Sequence, residues 1–242
     1  MRIALLSDTH GNDVAFRAVI ADIKARGADH TIFLGDVATL GAQPQRTVEL
    51  LMELECPCIM GNHEGFLLRL GMLEKYTKAV ATIESVNWCR DQLSKESLDY
   101  LATFKRTIEL PLGSNATLLL YHGSPRSFLE DILPTTPPER VDEVLDGRDA
   151  TVMAGGHTHL QMMRQHRGIL LVNVGSVGMP FKEYVGGQRP TLLAHAEYAV
   201  VQEDGGVVSV ALHRVPLDRS VLHKSVAESK NPMREWLMQQ YA

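Results

Sequence analysis

The sequence predicts an α/β protein built around a largely parallel sheet, and three observations carry this prediction. Short continuous apolar runs recur along the chain, as expected of strands that are buried on both faces. Segments with helical spacing separate these runs within residues 1–65. Polar side chains follow each run, at the edge where open α/β sheets bind ligands. No repeat, low-complexity tract or linker interrupts the 242 residues, so a single domain over 1–242 is predicted.

The composition is that of a globular protein and excludes several function classes. Hydrophobic residues make up 45% of the chain, and a net charge of −5 argues against a stable nucleic-acid partner. The net charge does not exclude a small phosphorylated substrate, because a metal can supply positive charge locally. The three cysteines form no disulfide pattern, and the chain shows neither a signal peptide nor a membrane-spanning apolar stretch. These features predict a cytoplasmic protein without a membrane partner.

The first predicted strand covers residues 3–6 and is followed by an acidic residue and a histidine. Asp8 and His10 are separated by one residue, so an extended backbone would place both side chains on one side. Residues 14–24 show helical spacing, and Gly27 stops this predicted helix. An Asp-x-His pair is common by chance, so its meaning depends on the later motifs.

The second and third predicted strands end in the same way. Residues 30–34 lead into Gly35-Asp36, and residues 57–60 lead into the Gly-Asn-His-Glu stretch at 61–64. A predicted helix over 47–54 separates the two strands. Because ligands bind at the carboxyl ends of the strands in open α/β sheets, we expect these polar groups to lie together.

Two residues of the 61–64 stretch have different predicted roles. Asn62 offers a neutral oxygen, which a hard dication accepts when charged ligands already surround it. His63 points elsewhere and is predicted to handle a proton beside the metal. Gly61 permits the tight turn that brings both side chains to the edge of the sheet. A Gly-Asn pair alone is typical of an ordinary turn, so this interpretation also depends on the other motifs.

Two segments are predicted to cover the sheet like caps, and residues 65–80 and 124–148 within them are predicted to shape the substrate pocket. Residues 65–104 are largely helical, with the clearest periodicity over 76–92 and 95–104. Residues 124–148 contain a proline-rich loop and a helix over 139–145. Apolar residues in these segments are interpreted as packing residues.

The later strands place three more histidines at strand ends. Extended segments are predicted over residues 106–110, 116–121, 151–154 and 169–173, with a hairpin over 191–214 and a helix over 233–241. His122 follows the second of these segments directly. His157 and His159 follow a Gly-Gly pair after the third, where a looped backbone can direct both at one centre.

The strand ends therefore supply seven candidate metal ligands, all nitrogen or oxygen donors. They are Asp8, His10, Asp36, Asn62, His122, His157 and His159. A single tetrahedral zinc needs only about four ligands, so the surplus predicts two divalent metal ions that share one carboxylate. Mixed imidazole and carboxylate ligands suit manganese first, with iron, zinc or nickel as alternatives, and do not suit an all-oxygen calcium site.

These motifs resemble the signatures of the calcineurin-like metallophosphoesterase superfamily. They occur in the order Asp8-x-His10, Gly35-Asp36, Gly61-Asn62-His63-Glu64, His122-Gly123 and Gly155-x-His157-x-His159. The match spans residues 3 to about 176. The resemblance implies a four-layer α/β fold, a β-sandwich flanked by helices, with the metals at the strand ends.

The resemblance also implies a role for each candidate residue. One metal would be held by Asp8, His10, Asp36 and His159, and the other by Asp36, Asn62, His122 and His157. Asp36 would bridge the two ions. Two cations about 3.5–4 Å apart can bridge and acidify one water and stabilise an in-line displacement at phosphorus. His63 would donate a proton or hydrogen bond to the leaving-group oxygen.

Departures from the superfamily pattern bear on the substrate. Protein phosphatases and diadenosine tetraphosphatases of the superfamily usually have an acid and an arginine after the Gly-Asp, and an arginine before the Gly-Asn-His. This chain has Thr39, Leu40 and Met60 at these places. The guanidinium clamp for a phosphomonoester dianion is therefore missing, which favours a monoanionic phosphodiester. Thr39 replaces an orienting aspartate, so the sequence leaves the orientation of His63 open.

Three basic residues are candidates for supplying positive charge to the substrate. Arg126 and Lys182 are the predicted substrate contacts, and Arg69 is a further candidate. Each is also typical of a solvated surface residue. The compact bacterial members that this chain resembles are similar to phosphodiesterases such as the YfcE-like group.

The sequence thus predicts a metal-dependent phosphodiesterase that acts on a small phosphate ester. One alternative is a phosphomonoesterase or dinucleoside polyphosphatase with the same metals. Another is a non-catalytic scaffold, because the superfamily includes a protein-binding retromer subunit. A scaffold is expected to lose His63 or several ligands, and this chain retains them all. Homo-oligomer formation through the helix over 233–241 is left open.

Overall fold

Two β-sheets lie at the centre of the protein, in a computed structural model that describes residues 1–242. The strands are β1 Arg2–Leu6, β2 His30–Phe33, β3 Ile108–Leu112, β4 Ala116–Leu120, β5 Val152–Gly155, β6 Met162–His166, β7 Ile169–Asn173, β8 His195–Asp204 and β9 Val207–Pro216. The helices are α1 Asp13–Arg26, α2 Pro44–Glu53, α3 Asn62–Leu68, α4 Leu73–Tyr76, α5 Val80–Gln92, α6 Lys95–Leu101, α7 Pro138–Leu145, α8 Arg219–Ala227 and α9 Arg234–Tyr241. The sheet orders are β2-β1-β8-β9 and β3-β4-β5-β7-β6.

Parallel pairing in both sheets brings several strand ends to one edge of the molecule. β1 pairs in parallel with β2, and β5 pairs in parallel with both β4 and β7. The strands β3, β6, β8 and β9 add antiparallel pairs around them. The loops that follow β1, β2, β4, β5 and β7 therefore leave the sheets at their carboxyl ends, where a ligand site is expected.

Alternation along β1 divides its side chains between two apolar cores. Ile3 and Leu5 belong to a cluster formed by residues of both sheets, so they lie in the middle of the sandwich. Ala4 and Leu6 belong to a second cluster that includes Phe16 of α1. Since both faces of residues 3–6 are covered, each of these positions is apolar, which is the pattern in the sequence.

Helices cover the outer face of each sheet. α1, α2, α3, α5 and α6 contribute side chains to the cluster on the first sheet. α7 contributes Val141, Val144 and Leu145 to a cluster on the second sheet. The order of helix, sheet, sheet and helix confirms the predicted α/β fold, a four-layer β-sandwich flanked by helices.

Helix α1 begins with a side-chain cap and ends at the glycine that the sequence indicates. The Asn12 side chain caps it by accepting the N–H of Ala15 at 3.0 Å. Gly27 ends it with φ at 71°, and its N–H donates to the Ile23 carbonyl. At 14 residues it is the longest helix, and none of the helices has the length and apolar character needed to cross a bilayer.

The predicted third strand, at residues 57–60, pairs less extensively than expected. It forms only isolated bridges, to β2 on one side and to Lys105 on the other. The N–H of Ile59 still donates to the Phe33 carbonyl at 2.8 Å, so this stretch extends the first sheet. Pro57 has no N–H to continue the ladder, which is one reason why the pairing stays short.

The helices differ in detail from the prediction, and the structure contains two elements that the sequence analysis does not predict. The predicted helix over 76–92 is interrupted between α4 and α5, which begins only at Val80. β6 and α8 are not predicted. In β6 the buried Met162 and His166 flank an exposed Met163 within only five residues, which is too short for a clear alternating pattern.

Candidate metal centre

Five of the seven predicted ligands have a left-handed backbone. The φ angle is 57° at Asp8, 47° at His10, 64° at Asp36, 69° at His157 and 58° at His159. This conformation costs a non-glycine residue about 1–2 kcal/mol, and such strain is typical of functional sites. The expectation that Asp8 and His10 follow an extended backbone is therefore wrong. Left-handed turns, rather than strand alternation, bring their side chains to one place.

The loops after β1 and β2 hold each other in position. The N–H of Asp8 donates to the Gly35 carbonyl at 2.9 Å, and the N–H of His10 donates to the Asp36 carbonyl at 3.0 Å. Gly61 packs against the second loop so closely that a Cβ atom there would lie 2.1 Å from Asp36 Oδ1. Only glycine allows this approach.

Glu64 ties the Asp36 loop to α3, a role that the sequence analysis does not assign. Its buried carboxylate accepts the backbone N–H groups of Asp36, Val37 and Gly61, each at 2.8 Å. Burial and then the charge of Asp36 raise the pKa of Glu64 to about 7. The available signal was its place three residues after Gly61, where a glutamate can reach back to the start of a helix.

Asp8, His10 and His159 form one group that could hold a metal ion. The Nε2 atoms of His10 and His159 are 3.0 Å apart. Asp8 Oδ1 lies 3.6 Å from Nε2 of His10 and 3.2 Å from Nε2 of His159. All three side chains are buried, so bulk water does not separate them.

Asp36, His122 and His157 form a second group. His122 Nε2 lies 3.3 Å from Asp36 Oδ2 and 3.0 Å from Asn62 Oδ1. Asp36 Oδ2 also lies 3.8 Å from His10 Nε2, so the same oxygen faces both groups. The structure therefore brings all seven predicted residues together, with Asp36 in the middle. Their assignment as ligands stays a prediction.

Two of the histidines donate a hydrogen bond to a backbone carbonyl through Nδ1, the ring nitrogen on the side away from the other donors. His122 Nδ1 donates to the Leu34 carbonyl at 2.7 Å, and His159 Nδ1 donates to the Met179 carbonyl at 2.7 Å. Because a carbonyl can only accept, the proton of the neutral ring is on Nδ1 and the lone pair is on Nε2. Metal-ligating histidines usually have such an outer partner.

Asp131 orients the ring of His157, as the carbonyls orient His122 and His159. The sequence analysis does not identify this role of Asp131. Its Oδ1 lies 3.3 Å from His157 Nε2, and its Oδ2 accepts the Tyr184 hydroxyl at 2.6 Å. A carboxylate at Nε2 leaves Nδ1 of His157 available to the centre. Asp131 lies in an irregular loop, where no periodic pattern could indicate its partner.

The donor atoms fit divalent cations. The Nε2 atoms of His10 and His159 converge with the carboxylate of Asp8, and the buried Asp8 Oδ1 has no hydrogen-bond partner. Converging buried acceptors are costly unless protons or a cation lie among them. Imidazole nitrogens combined with carboxylate oxygens suit first-row transition metals.

The shifted pKa values of Asp8 and His122 also show that the buried carboxylates favour positive charge beside them. Burial would raise the pKa of Asp8, but His159 and His10 outweigh burial and hold it well below its ordinary value. Burial would lower the pKa of His122, but the Asp36 carboxylate outweighs burial and raises it to about 10. Without metal, the extra proton on His122 therefore balances part of the carboxylate charge.

Metal binding is expected to release at least one proton per protein molecule at pH 7. His122 has a pKa of about 10 in the metal-free protein, above its ordinary value, and it must lose this proton to act as a ligand. Metal affinity should therefore rise about tenfold per pH unit for each released proton, until the pH passes the raised pKa. Isothermal titration calorimetry in buffers of different ionisation enthalpy measures the release. Binding with no proton release at pH 7 would contradict this assignment.

Thr39 orients His63, which resolves the question that the sequence leaves open. Its Oγ1 lies 2.7 Å from His63 Nδ1 and 3.3 Å from His10 Nδ1. If His10 binds metal through Nε2, its Nδ1–H donates to the threonine oxygen, and the threonine hydroxyl donates to His63. Burial lowers the pKa of His63 to about 3, so its ring is neutral at pH 7 and carries its proton on Nε2.

Replacing Thr39 with valine is expected to lower kcat about tenfold, because His63 loses the hydroxyl that selects its tautomer while the side-chain volume is preserved. KM and metal content should change little. Thr39→Ser retains the hydroxyl and serves as the matched control, with activity near that of the wild type. Steady-state kinetics on the three proteins measures the effect. Equal kcat values for the valine and serine variants would show that the hydroxyl does not position His63.

The basic residues considered for substrate binding lie in different settings. Arg126 donates to Glu130 at 2.7 Å and to Glu143 at 2.9 Å, so two carboxylates already compensate its charge. Lys182 and Arg69 are exposed and make no ion pair. The role of these residues in substrate binding stays a prediction.

The β-sandwich with Asp and His groups at its strand ends is the arrangement that the resemblance to the metal-dependent phosphoesterases implies. A family model described as the calcineurin-like phosphoesterase superfamily domain matches residues 1–197. The chain belongs to this superfamily. The resemblance found in the five sequence motifs is thereby confirmed.

Individual relatives extend over almost the whole chain. The uncharacterized protein MJ0912 of Methanocaldococcus jannaschii is 28% identical over 241 residues, which cover 97% of this chain and 95% of that protein. A metallophosphoesterase from Sphaerobacter thermophilus is 26% identical with a TM-score of 0.75, covering 100% of this chain and 98% of that chain. The phosphoesterase Yfce of E. coli is 22% identical with a TM-score of 0.50, covering 90% and 100%. This last similarity shows the fold alone.

Proposed function

We propose that this protein is a phosphodiesterase that hydrolyses small phosphodiesters at a centre of two divalent metal ions, with manganese as the first candidate. The observation that carries the proposal is the position of Asp36 Oδ2. It lies 3.3 Å from His122 Nε2 and 3.8 Å from His10 Nε2. A carboxylate oxygen between two groups of donors has the position that a ligand shared by two metals requires.

The remaining ligands divide between the two proposed ions. Asp8, His10 and His159 would hold the first together with Asp36. Asn62, His122 and His157 would hold the second together with Asp36. When bound, such a pair of ions supplies an acidified water and neutralises the charge that develops at phosphorus. The protein fixes the donors in advance, because carbonyls and carboxylates orient the histidine rings.

His63 is the proposed catalytic residue for the leaving group. Its ring packs at a right angle to His10, with 4.9 Å between the centroids, so it stands beside the first group of ligands. With Thr39 bound at Nδ1, the Nε2–H is the donor that remains. It would donate a hydrogen bond or proton to the leaving oxygen as the bond to phosphorus breaks.

The missing arginine clamp supports a diester rather than a monoester. Leu40 and Met60 stand where related enzymes have arginine, and Arg126 is paired with two carboxylates. No arginine or lysine forms an ion pair with Asp8 or Asp36, whose partners are histidines. A diester monoanion requires less positive charge beyond the metals than a monoester dianion does.

The test compares bis-p-nitrophenyl phosphate with p-nitrophenyl phosphate, after chelation and separate addition of manganese, nickel, zinc or magnesium. We expect manganese to restore activity, with kcat/KM for the diester at least about tenfold higher than for the monoester. A preference for the monoester would overturn the diester assignment in favour of a phosphomonoesterase with the same ligands. No turnover with any metal, despite stoichiometric binding, would favour a scaffold.

A further inference from the structure

A cleft of about 520 Å³ opens beside the candidate metal centre. His159 and Leu40 form part of its wall, and the start of α5, the loop at 187–190 and Trp236 of α9 form the rest. We call it the Trp236 cleft. Three other surface clefts, of about 570, 480 and 320 Å³, contain none of the seven predicted ligands. Because His159 is one of the seven predicted ligands, the organic part of a phosphate ester bound at the centre can extend into the Trp236 cleft.

The walls of the Trp236 cleft are rich in flat and polarisable surfaces. Phe181 stacks on His159, with 4.2 Å between the ring centroids and 31° between the planes. Trp236 and Met233 contribute an indole and a thioether from the C-terminal segment. Such surfaces bind flat aromatic groups by stacking and by sulfur–aromatic contacts. The cleft volume of about 520 Å³ is also typical of small-molecule sites.

The rim of the Trp236 cleft is polar. Arg189 is the one arginine or lysine among its lining residues and Glu84 is the one carboxylate, and Gln188 lies next to Arg189. The first turn of α5 also lines the cleft, and Ala79 at its start has no side chain that could accept the free backbone N–H groups. A flat ring with hydrogen-bonding atoms on its edge suits this combination better than an alkyl chain does.

Buried hydrogen bonds hold the C-terminal wall of the cleft in place. Asn231 Nδ2 donates to the Leu40 carbonyl at 3.0 Å and to the Gly41 carbonyl at 2.7 Å. Asn231 Oδ1 accepts the Ser85 hydroxyl at 2.9 Å. The segment that carries Trp236 is thereby attached both to the loop after β2 and to α5. Because the wall is already ordered, a ligand would lose little free energy in organising it.

We propose that the Trp236 cleft binds the aromatic part of the substrate, and that this part is a nucleobase or a similar heteroaromatic ring. This inference rests on the proposed function and narrows its substrate class to small diesters of nucleosides. The phosphate would lie at the Asp and His groups, and the ring would stack against Trp236. Arg189 would contribute positive charge at the rim.

The first experiment measures binding without catalysis. The chain has two tryptophans, so Trp88→Phe leaves Trp236 as the single indole reporter. Trp88 lines a different groove, together with Gln92. In metal-free protein, adenosine 5′-monophosphate should quench Trp236 fluorescence saturably, while ribose 5-phosphate should not. Trp236→Phe, which retains only Trp88, is the matched control and should show no saturable change.

The second experiment compares two diesters with the same leaving group, thymidine 5′-(p-nitrophenyl phosphate) and methyl p-nitrophenyl phosphate. We expect kcat/KM for the thymidine ester to be about tenfold higher or more, because only this ester carries a ring that can stack. Trp236→Ala should move the ratio of the two values toward one. Arg189→Ala, at an exposed position, provides a second variant that does not threaten folding and should also lower the ratio. Trp88→Phe should leave the ratio unchanged.

The two experiments separate the failure of this inference from that of the proposed function. Hydrolysis of both esters at similar rates, with no quenching of Trp236, would overturn the inference and leave the phosphodiesterase assignment intact. Saturable quenching without hydrolysis of either ester would support the aromatic site and contradict the phosphodiesterase assignment. A ratio that stays high in both cleft variants would also overturn the inference.

Discussion

Asp36→Asn is expected to lower kcat/KM for phosphodiester hydrolysis by about 10³-fold or more, because the two proposed ions would lose their shared charged ligand. Asp36 Oδ2 faces both groups of donors, while its Oδ1 accepts the His63 N–H at 2.8 Å. The amide preserves the size of the side chain but removes the charge that two cations would share. Steady-state kinetics with added manganese, together with metal analysis, measures the effect.

A surface aspartate provides the matched control for this substitution. Asp99 is exposed and forms an i,i+4 pair with Lys95 on α6, so Asp99→Asn removes the same charge far from any buried donor. Its kcat/KM should stay within about twofold of the wild type, because exposed pairs contribute little. Near-normal activity of Asp36→Asn with one bound metal would rule out a centre in which Asp36 is shared.

His63→Ala is expected to lower kcat by about 10²- to 10⁴-fold and to leave metal content unchanged, because it removes a proton donor and no ligand. His63 lies close to His10 and Asp36 and forms with them a third group that could hold a metal. The two roles therefore make opposite predictions. As a donor, His63 affects turnover; as a ligand, it affects metal content first. Mass spectrometry of the dialysed protein, measured beside the kinetics, distinguishes them.

The control for His63 is a histidine away from the centre. His30 is exposed at the start of β2, the end of that strand opposite Asp36, so His30→Ala should leave both kcat and metal content unchanged. Thermal unfolding of both variants tests whether each retains the fold. If His63→Ala loses one metal equivalent while the His30 variant does not, His63 is a ligand and its assignment as the donor is wrong.

The amino-acid sequence alone predicts much of the fold and the types of side chain at the candidate site. A strand segment that is covered on both faces is apolar throughout, so residues 3–6 of β1 and 169–172 of β7 are readable as short continuous runs. Metal chemistry needs carboxylate, amide and imidazole donors, so the types of the seven candidate residues are readable as well. Weakly patterned elements such as β6 are not, because a few residues of alternation resemble a loop.

Only the tertiary structure decides how these donors meet and what surrounds them. The left-handed backbone of Asp8 and His10, the contact of Thr39 with His63, and the Trp236 cleft all depend on segments that are distant along the chain. Local sequence patterns indicate which residues are buried and where strands and helices end. The features named above arise instead from packing between loops. The sequence therefore predicts which donor atoms the candidate centre contains, and the packing of the loops decides how these atoms are oriented toward one another.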